Sequence, residues 1–463
     1  MTAAGQSAVI ADLSGFERRK EQRAWYVYDW ANSAYVTTVA TVLFAPYLTA
    51  VAETSACGTA GTTNSPCRQN LSLLGLSVSP GSLVFYVVTA ATVFSALVLP
   101  IVGATADRSA RKKHIMAFFA WAGSLATAGM FFVQGDNWQL GAALLFVANL
   151  CLGSSLVVYD ALLCEIAAPD ERDRVSSRGW ALGYLGGGLL LAVNLAVVTL
   201  HDSLGLAPGT AVRLCLLSAA VWWAAFTVVP FLGLRNRPAI AREARPGGLV
   251  RQSFGQLWAT LKDLRSYPMT LLFLVAYLFY NDGIQTVIVA ASTYGDKELG
   301  FDTSVLIATI LLVQFVAFGG ALLFGRLARA RGARSTILGG LTIWMLVVIL
   351  AYFLPRHQLL PFLALAALIG LVLGGTQALS RSFFSQLIPA GREAEYFSLY
   401  QAGERGTSWL GTFTFGLVHQ LTDSYRPAIV ALIVFFVVGI ALLSRVDPLR
   451  GILEAGNAPP AVI

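Results

Sequence analysis

Charge is what this chain of 463 residues has least of: Asp, Glu, Lys and Arg make up 12% of it, against about 25% in soluble domains. With 56% hydrophobic residues and a mean hydropathy of +0.67, that shortage excludes a soluble globular protein and defines an integral membrane protein. Lysine is scarcer still. Lys20, Lys112, Lys113, Lys262 and Lys297 are five of the 32 basic residues, which with abundant Ala and Gly points to a GC-rich bacterial genome. The four histidines (114, 201, 357 and 419) are scattered. No Ser/His/Asp set, metal-ligand cluster or nucleotide loop is visible, so the sequence argues against an enzyme, and no cofactor or metal is expected. Short segments of alternating polarity, the mark of a membrane β-barrel, are missing as well. A polar start followed by a run long enough to span leaves no cleavable signal peptide to expect. Of the five cysteines, Cys151, Cys164 and Cys215 fall in apolar runs and read as small fillers. Cys57 and Cys67 share one polar loop, Ala52 to Pro80, and are a disulfide candidate if that loop faces an oxidising compartment.

What is abundant is apolar sequence in runs of about 20 residues, the length of a membrane-spanning helix. Twelve candidates occur, at 25–50, 82–104, 114–134, 138–163, 178–200, 211–234, 268–291, 303–325, 335–354, 359–382, 396–420 and 426–445. The fold class is therefore all-α, a polytopic membrane protein with twelve transmembrane helices. Basic residues set its orientation. With a cytoplasmic N-terminus, 25 of the 32 fall on the inside, and Arg68, Arg213, Lys297, Arg356 and Arg426 fall outside. Both termini are thus expected in the cytoplasm of a bacterial cell, with the chain in its inner membrane. The net charge of +7 follows from the same bias and implies contact with anionic lipid, not with nucleic acid. Residues 1–234 form one six-helix half and 268–463 the other. A basic linker at 235–267 joins them, with a surface helix expected around Phe254–Leu264.

Polar groups inside the apolar runs are expensive and mark function. Tyr28, Asp29 and Asn32 share a face of the first helix; Asn281 and Gln285, with Asp282 beside them, lie on the seventh; Gln377 and Arg381 lie four apart on the tenth. A helix starting near Pro268 puts Asp282 about 14 residues in, roughly 21 Å of rise and near mid-membrane. Asp29, Asp160, Arg381, Glu404 and Arg405 lie closer to the cytoplasmic ends. The halves repeat: an offset of 221 aligns Gly153 with Gly374 and Asp160 with Arg381. Between the second and third helices runs Gly103-Ala104-Thr105-Ala106-Asp107-Arg108-Ser109-Ala110-Arg111-Lys112-Lys113. There Gly103 permits close helix approach, and Asp107 is able to cap a facing helix or pair with Arg. The equivalent loop, Gly325 to Arg331, keeps the glycine and bases but has no Asp.

Six helices, a cytoplasmic linker and six more, together with that loop, resemble the major facilitator superfamily. Four further segments narrow the likeness: Tyr28-Asp29-Trp30-Ala31-Asn32-Ser33-Ala34-Tyr35, Glu171 to Gly179, the glycine run Gly183 to Gly188, and Gly375-Thr376-Gln377-Ala378-Leu379-Ser380-Arg381-Ser382. As a set they are similar to the bacterial family related to the autophagy-linked vacuolar amino-acid effluxers of fungi. The resemblance implies a multi-pass permease with helices 1, 4, 7 and 10 around a central cavity.

On that footing Asp282, Asn281, Gln285, Asn32, Tyr28 and Gln377 are expected at the substrate or proton site. Asp29, Asp160, Arg381, Glu404, Arg405, Asp107, Arg108 and Arg111 are expected in a cytoplasmic gate. Plainer readings stand beside these. Asp29 alternatively caps or snorkels at the interface. Asn281 and Gln285 equally read as interhelical hydrogen-bond glue, worth about 0.6 kcal/mol each. The partner of Arg381 is open among Asp160, Asp29 and Glu404. Glu171, Arg172, Asp173 and Arg174 read as a solvated loop network, and the glycine run as close packing of helix 5. The expectation is a monomeric, proton-coupled secondary transporter for a small polar or zwitterionic solute such as an amino acid, with export preferred. One rival is an exporter of lipid or lipophilic compounds, which the aromatics Trp25, Tyr26, Trp30, Tyr35, Tyr277, Tyr280, Phe383 and Phe384 would serve. The other is a non-transporting sensor or assembly protein.

Overall fold

In a hydrocarbon layer backbone N–H and C=O groups have no water to bond, so an apolar run satisfies them by coiling into a helix. The structure, a computed structural model, describes residues 15–59, 67, 69–73, 76–238, 260, 262–406, 408–422 and 424–463, with the backbone alone at 73, 76, 303, 405, 406, 408 and 409. Its first half holds α1 (Gly15–Cys57), α2 (Leu83–Asp107), α3 (Lys112–Gly129), α4 (Trp138–Ile166), α5 (Arg172–Thr199) and α6 (Pro208–Gly233). Its second holds α7 (Pro268–Thr293), α8 (Thr303–Arg331), α9 (Ala333–Tyr352), α10 (Leu359–Gln386), α11 (Glu393–Gly406 and Ser408–Thr422) and α12 (Tyr425–Leu443), followed by a short α13 (Pro448–Glu454). Eleven of these are each long and apolar enough to cross a membrane, and the two described pieces of α11 supply the twelfth span. The chain is a multi-pass membrane protein of the expected class.

Helices run past the predicted spans where polar ends add turns beyond the apolar layer. The first reaches from Gly15 to Cys57 and the tenth to Gln386. Hydrophobicity marks what lies in lipid, not where the coil stops. Within α1 the stretch Tyr35–Leu43 widens to a π-helix just before Pro46, which has no N–H to give an ordinary turn. The Thr41 hydroxyl donates to the Val36 carbonyl there, at 2.8 Å.

The halves meet through paired contacts. Helix α2 lies on α11 and α5 on α8; α4 lies on α11 and α10 on α5. Adding six to each helix number converts either member of such a pair into the other, so the packing itself carries the pseudo-twofold. At the α2–α11 crossing a Cβ on Gly103 would strike the Ala394 carbonyl oxygen and come within 2.8 Å of its carbon, so only glycine allows this approach. Along α5, Gly183, Gly186 and Gly187 press on Ser33, Trp30 and Thr37 of α1, and Gly188 on Gln314 of α8. The glycine run is close packing, as read from the sequence. Cys151, Cys164 and Cys215 are buried.

One end of the bundles, here the basic face, carries the start of α1, the α2–α3, α4–α5 and α8–α9 turns, and α13. The other carries a hairpin of β1 (Leu71–Leu73) and β2 (Leu76–Val78), paired antiparallel with Leu71 opposite Val78. There Cys57 and Cys67 are bonded, their Cα atoms 5.9 Å apart. Most of the linker, including the greater part of the surface helix expected around Phe254–Leu264, lies outside the described residues.

Candidate functional site

Arg381 sits on α10, near its end on the basic face, and is only 2% exposed. Every N–H of its guanidinium has a partner, and every partner is in the other half. Nη2 donates to Asp29 Oδ2 at 3.0 Å and to the Ser176 carbonyl at 3.1 Å. Nη1 donates to Asp160 Oδ1 at 3.2 Å and Asp29 Oδ1 at 3.5 Å, and Nε to Ser176 Oγ at 2.9 Å. The rings of Trp25, Tyr159 and Trp180 lie 4.8, 5.4 and 5.4 Å from the guanidinium carbon. Asp29 takes a further hydrogen bond from the Tyr159 hydroxyl at 2.8 Å, and Asp160 one from Gln401 Nε2 at 2.8 Å. Asp29 is therefore neither a snorkelling nor a capping residue, and both Asp29 and Asp160 hold the arginine. Glycine again makes room: a Cβ on Gly179 would lie 2.5 Å from Asp29 Oδ2 and 3.2 Å from Arg381 Nη2.

A second seam lies beside the first. Asp107, at the end of α2, accepts from the Ala394 N–H at 3.0 Å and the Glu395 N–H at 2.9 Å, capping α11 from outside. Lys112 bridges Asp107 at 3.2 Å, Glu165 at 2.8 Å and Glu393 at 4.0 Å. Arg108 and Arg111 are exposed on this face. Arg392, in the turn before α11, pairs with Glu395 at 3.0 Å and with Asp263. Its burial works against the charge, yet the Glu395 carboxylate outweighs this and holds Arg392 above its ordinary value.

The solvated network read for Glu171–Arg174 is corrected in part. Glu171 and Arg174 do pair at the surface, at 3.0 Å. Asp173, however, accepts from the Ser382 hydroxyl at 2.6 Å, and Arg172 donates to the Ser385 carbonyl at 2.7 Å, both across to α10. Sequence reading missed this because the partners are more than 200 residues away.

The residues expected in a central site divide into three groups. Gln377 Nε2 donates to Asn281 Oδ1 at 2.9 Å, and Asn281 Nδ2 to the Glu404 carbonyl at 3.3 Å. Tyr28 donates to Ser155 Oγ at 2.6 Å, and Asn32 Nδ2 folds back on the Tyr28 carbonyl at 2.7 Å. Asp282, 1% exposed, turns instead towards α11 and accepts from the Gly411 N–H at 2.9 Å. Its Oδ1 and the Thr286 hydroxyl have no hydrogen-bond partner among the described residues. Gln285 is half-buried, and the side chain of Arg405 lies outside the described residues. Of the aromatics, Trp25, Tyr26, Tyr35, Tyr277, Tyr280, Phe383 and Phe384 are buried in helix packing, and Trp30 is stacked on Trp222. Residues outside the expected site but inside the observed one are Ser176, Tyr159, Trp180, Gln401 and Lys112. Their only advance signal was position: helix segments flanking the acidic residues, and the basic loop.

Two six-helix bundles exchanging partners about a pseudo-twofold, joined at one face by an arginine and a helix-capping aspartate, define a transporter of the major facilitator class, not an enzyme. The E. coli fucose:proton symporter superposes with a TM-score of 0.66 over 94% of this chain and 99% of that one, at 13% identity, which shows the shared fold. An uncharacterized MFS-type transporter, YxiO of Bacillus subtilis (strain 168), is 32% identical over 429 residues, spanning 92% of this chain and 95% of its own length. Autophagy-related protein 22-1 of Penicillium rubens is 25% identical over 464 residues, covering 82% of this chain and 78% of that protein. Residues 17–456 match the model of the "Vacuole effluxer Atg22 like" family, and the chain belongs to that family.

Proposed function

We propose that this protein is a secondary transporter of the bacterial plasma membrane, with its basic face cytoplasmic, that exports a small polar or zwitterionic solute such as an amino acid. Alternating access is its mode of action, with Arg381, Asp29, Asp160 and Asp107 as the cytoplasmic gate in its closed position. The observation that carries the reading is the Arg381 site. A buried guanidinium of one half whose five N–H groups all end on the other half is a joint between two bodies, not a brace within one. A joint of this kind has an open counterpart, since water hydrates the same charges once the halves part. Burial of the proposed lipophilic-cavity aromatics in helix packing leaves the lipid-export rival without its motive.

Asp282 is the proposed proton carrier. A carboxylate at 1% exposure with one oxygen unpartnered among the described residues has an acceptor position free for a proton, which can be exchanged as the cavity opens to either side. A thermal-shift panel of amino acids on purified protein, followed by flux into proteoliposomes with and without a pH gradient, tests the proposal. Stabilisation and gradient-dependent flux are expected for at least one amino acid. Stabilisation by lipids or hydrophobic compounds alone ends the amino-acid reading. Full gradient dependence in Asp282→Asn removes Asp282 as carrier.

A further inference from the structure

We infer that the pocket holding Arg381 is a guanidinium-binding site belonging entirely to the N-terminal half, and that a small solute bearing a guanidinium group occupies it whenever the basic face opens. The inference rests on the alternating-access reading for the opening step, and on the geometry alone for the chemistry of the pocket.

All the groups that meet the guanidinium lie on α1, α4 and α5. Asp29 and Asp160 supply three carboxylate oxygens, and Ser176 supplies its hydroxyl and carbonyl. Trp25, Tyr159 and Trp180 present ring faces at 4.8–5.4 Å. Arg381 is thus a guest brought in by α10. Withdraw the C-terminal half and Asp160 loses its bonds from both Arg381 and Gln401, while Asp29 keeps the one from Tyr159. What remains is a slot with aromatic walls and two carboxylates that have lost their counter-charge. Five acceptors arranged around a flat fork between rings match a planar guanidinium better than a compact ammonium or a metal ion. The donor set is also unlike a hydrated-ion cage, because three of its walls are carbon.

A ligand in this slot and Arg381 exclude each other. Any such solute binds only the state open at the basic face and, by linkage, opposes closure. The site is therefore a brake on the transport cycle, set by guanidinium solutes on the side the basic face adjoins.

Methylguanidinium is the probe, with methylurea as its neutral isostere and methylammonium as a compact cation. In Arg381→Ala the slot is vacant, and millimolar methylguanidinium is expected to raise the melting temperature by several degrees, with neither control doing so. In the otherwise native protein, spin labels at Lys20→Cys and Arg331→Cys, both exposed on the basic face, report whether that face is open. Methylguanidinium is expected to raise the long-distance fraction several-fold and methylurea to leave it unchanged. Rescue by methylammonium as good as by methylguanidinium overturns the guanidinium assignment. Absence of both the rescue and the distance change overturns the site, and if Arg381→Ala does not fold the distance arm decides alone. Rescue of the variant together with label distances that no condition alters leaves the site standing and sinks alternating access instead.

Discussion

Asp29 meets Arg381 with both carboxylate oxygens, at 3.0 and 3.5 Å, and takes a third hydrogen bond from Tyr159, whereas Asp160 offers it one oxygen at 3.2 Å. The two carboxylates are thus unequal holders of one guanidinium, and neutralising each has a different cost. Asp29→Asn leaves a bidentate partner with one donor end facing the guanidinium, a repulsive arrangement. Asp160→Asn can turn its remaining carbonyl oxygen to Arg381. Asp29→Asn is expected to lower the melting temperature more than Asp160→Asn. Arg381→Ala is expected to lower it most, by the equivalent of about 3–5 kcal/mol, because two buried carboxylates lose their cation together. Equal shifts for the two Asn variants in a thermal-shift assay would contradict this ordering. Gly179→Ala tests the same joint by volume. Its methyl group falls 2.5 Å from Asp29 Oδ2 and 2.9 Å from the Trp25 ring, and overpacking of this kind costs about 1–3 kcal/mol. Gly179, Asp29 and Trp25 all belong to the N-terminal half, so the strain is present whether the halves are together or apart, and the variant should lower the melting temperature in a thermal-shift assay; an unchanged value would mean the site relaxes around the methyl.

The Ala394 and Glu395 amides at the start of α11 are capped by Asp107 of α2 from across the seam, where Gly103 has brought the backbones together. A capping carboxylate is worth about 0.5–2 kcal/mol to the helix it serves, and here that energy is realised only while the basic face is shut. Asp107→Ala should therefore speed hydrogen exchange at the start of α11 several-fold and favour the open face. Exchange at Ala394 and Glu395 no faster than in the parent would show that the cap carries no weight. This device was legible in the sequence, because a glycine, an aspartate and a basic run at fixed spacing carry their own physics. The arginine joint was legible only in outline. Asp29, Asp160 and Arg381 stood out as charges in apolar runs, but nothing local ranked their pairings. Trp180 and Gln401 were invisible, since an aromatic or an amide beside a helix reads equally well as packing. Asp282 stood out for the same reason as Asp29, yet which neighbour it faces depends on the rotation of α7 against α11, and periodicity does not specify that angle.

The twelve spans and their division into halves could be read directly, because the hydrocarbon layer demands long apolar coils and the repeat at an offset of 221 demands two of a kind. How the halves meet could not, since the bonds at the seam join residues more than 200 positions apart. That seam is the basis of the proposed cycle: its polar contacts gather on the basic face, where α10 touches α1, α4 and α5, and where α2 touches α11. If transport requires this face to part, a covalent tie across it must stop transport without disturbing either bundle. Asp173 and Ser382 stand on opposite sides with their side chains in contact at 2.6 Å, so Asp173→Cys paired with Ser382→Cys places two thiols within reach of one another. Oxidation of the double variant is expected to reduce solute flux in proteoliposomes to background, and reduction to restore it, while each single variant stays indifferent to oxidant. The reduced double variant should transport near the parental rate, since the tie it loses is one hydrogen bond, worth about 1 kcal/mol. Flux that continues through fully cross-linked protein would mean that the halves do not part at this face, and the proposed mechanism would have to be abandoned.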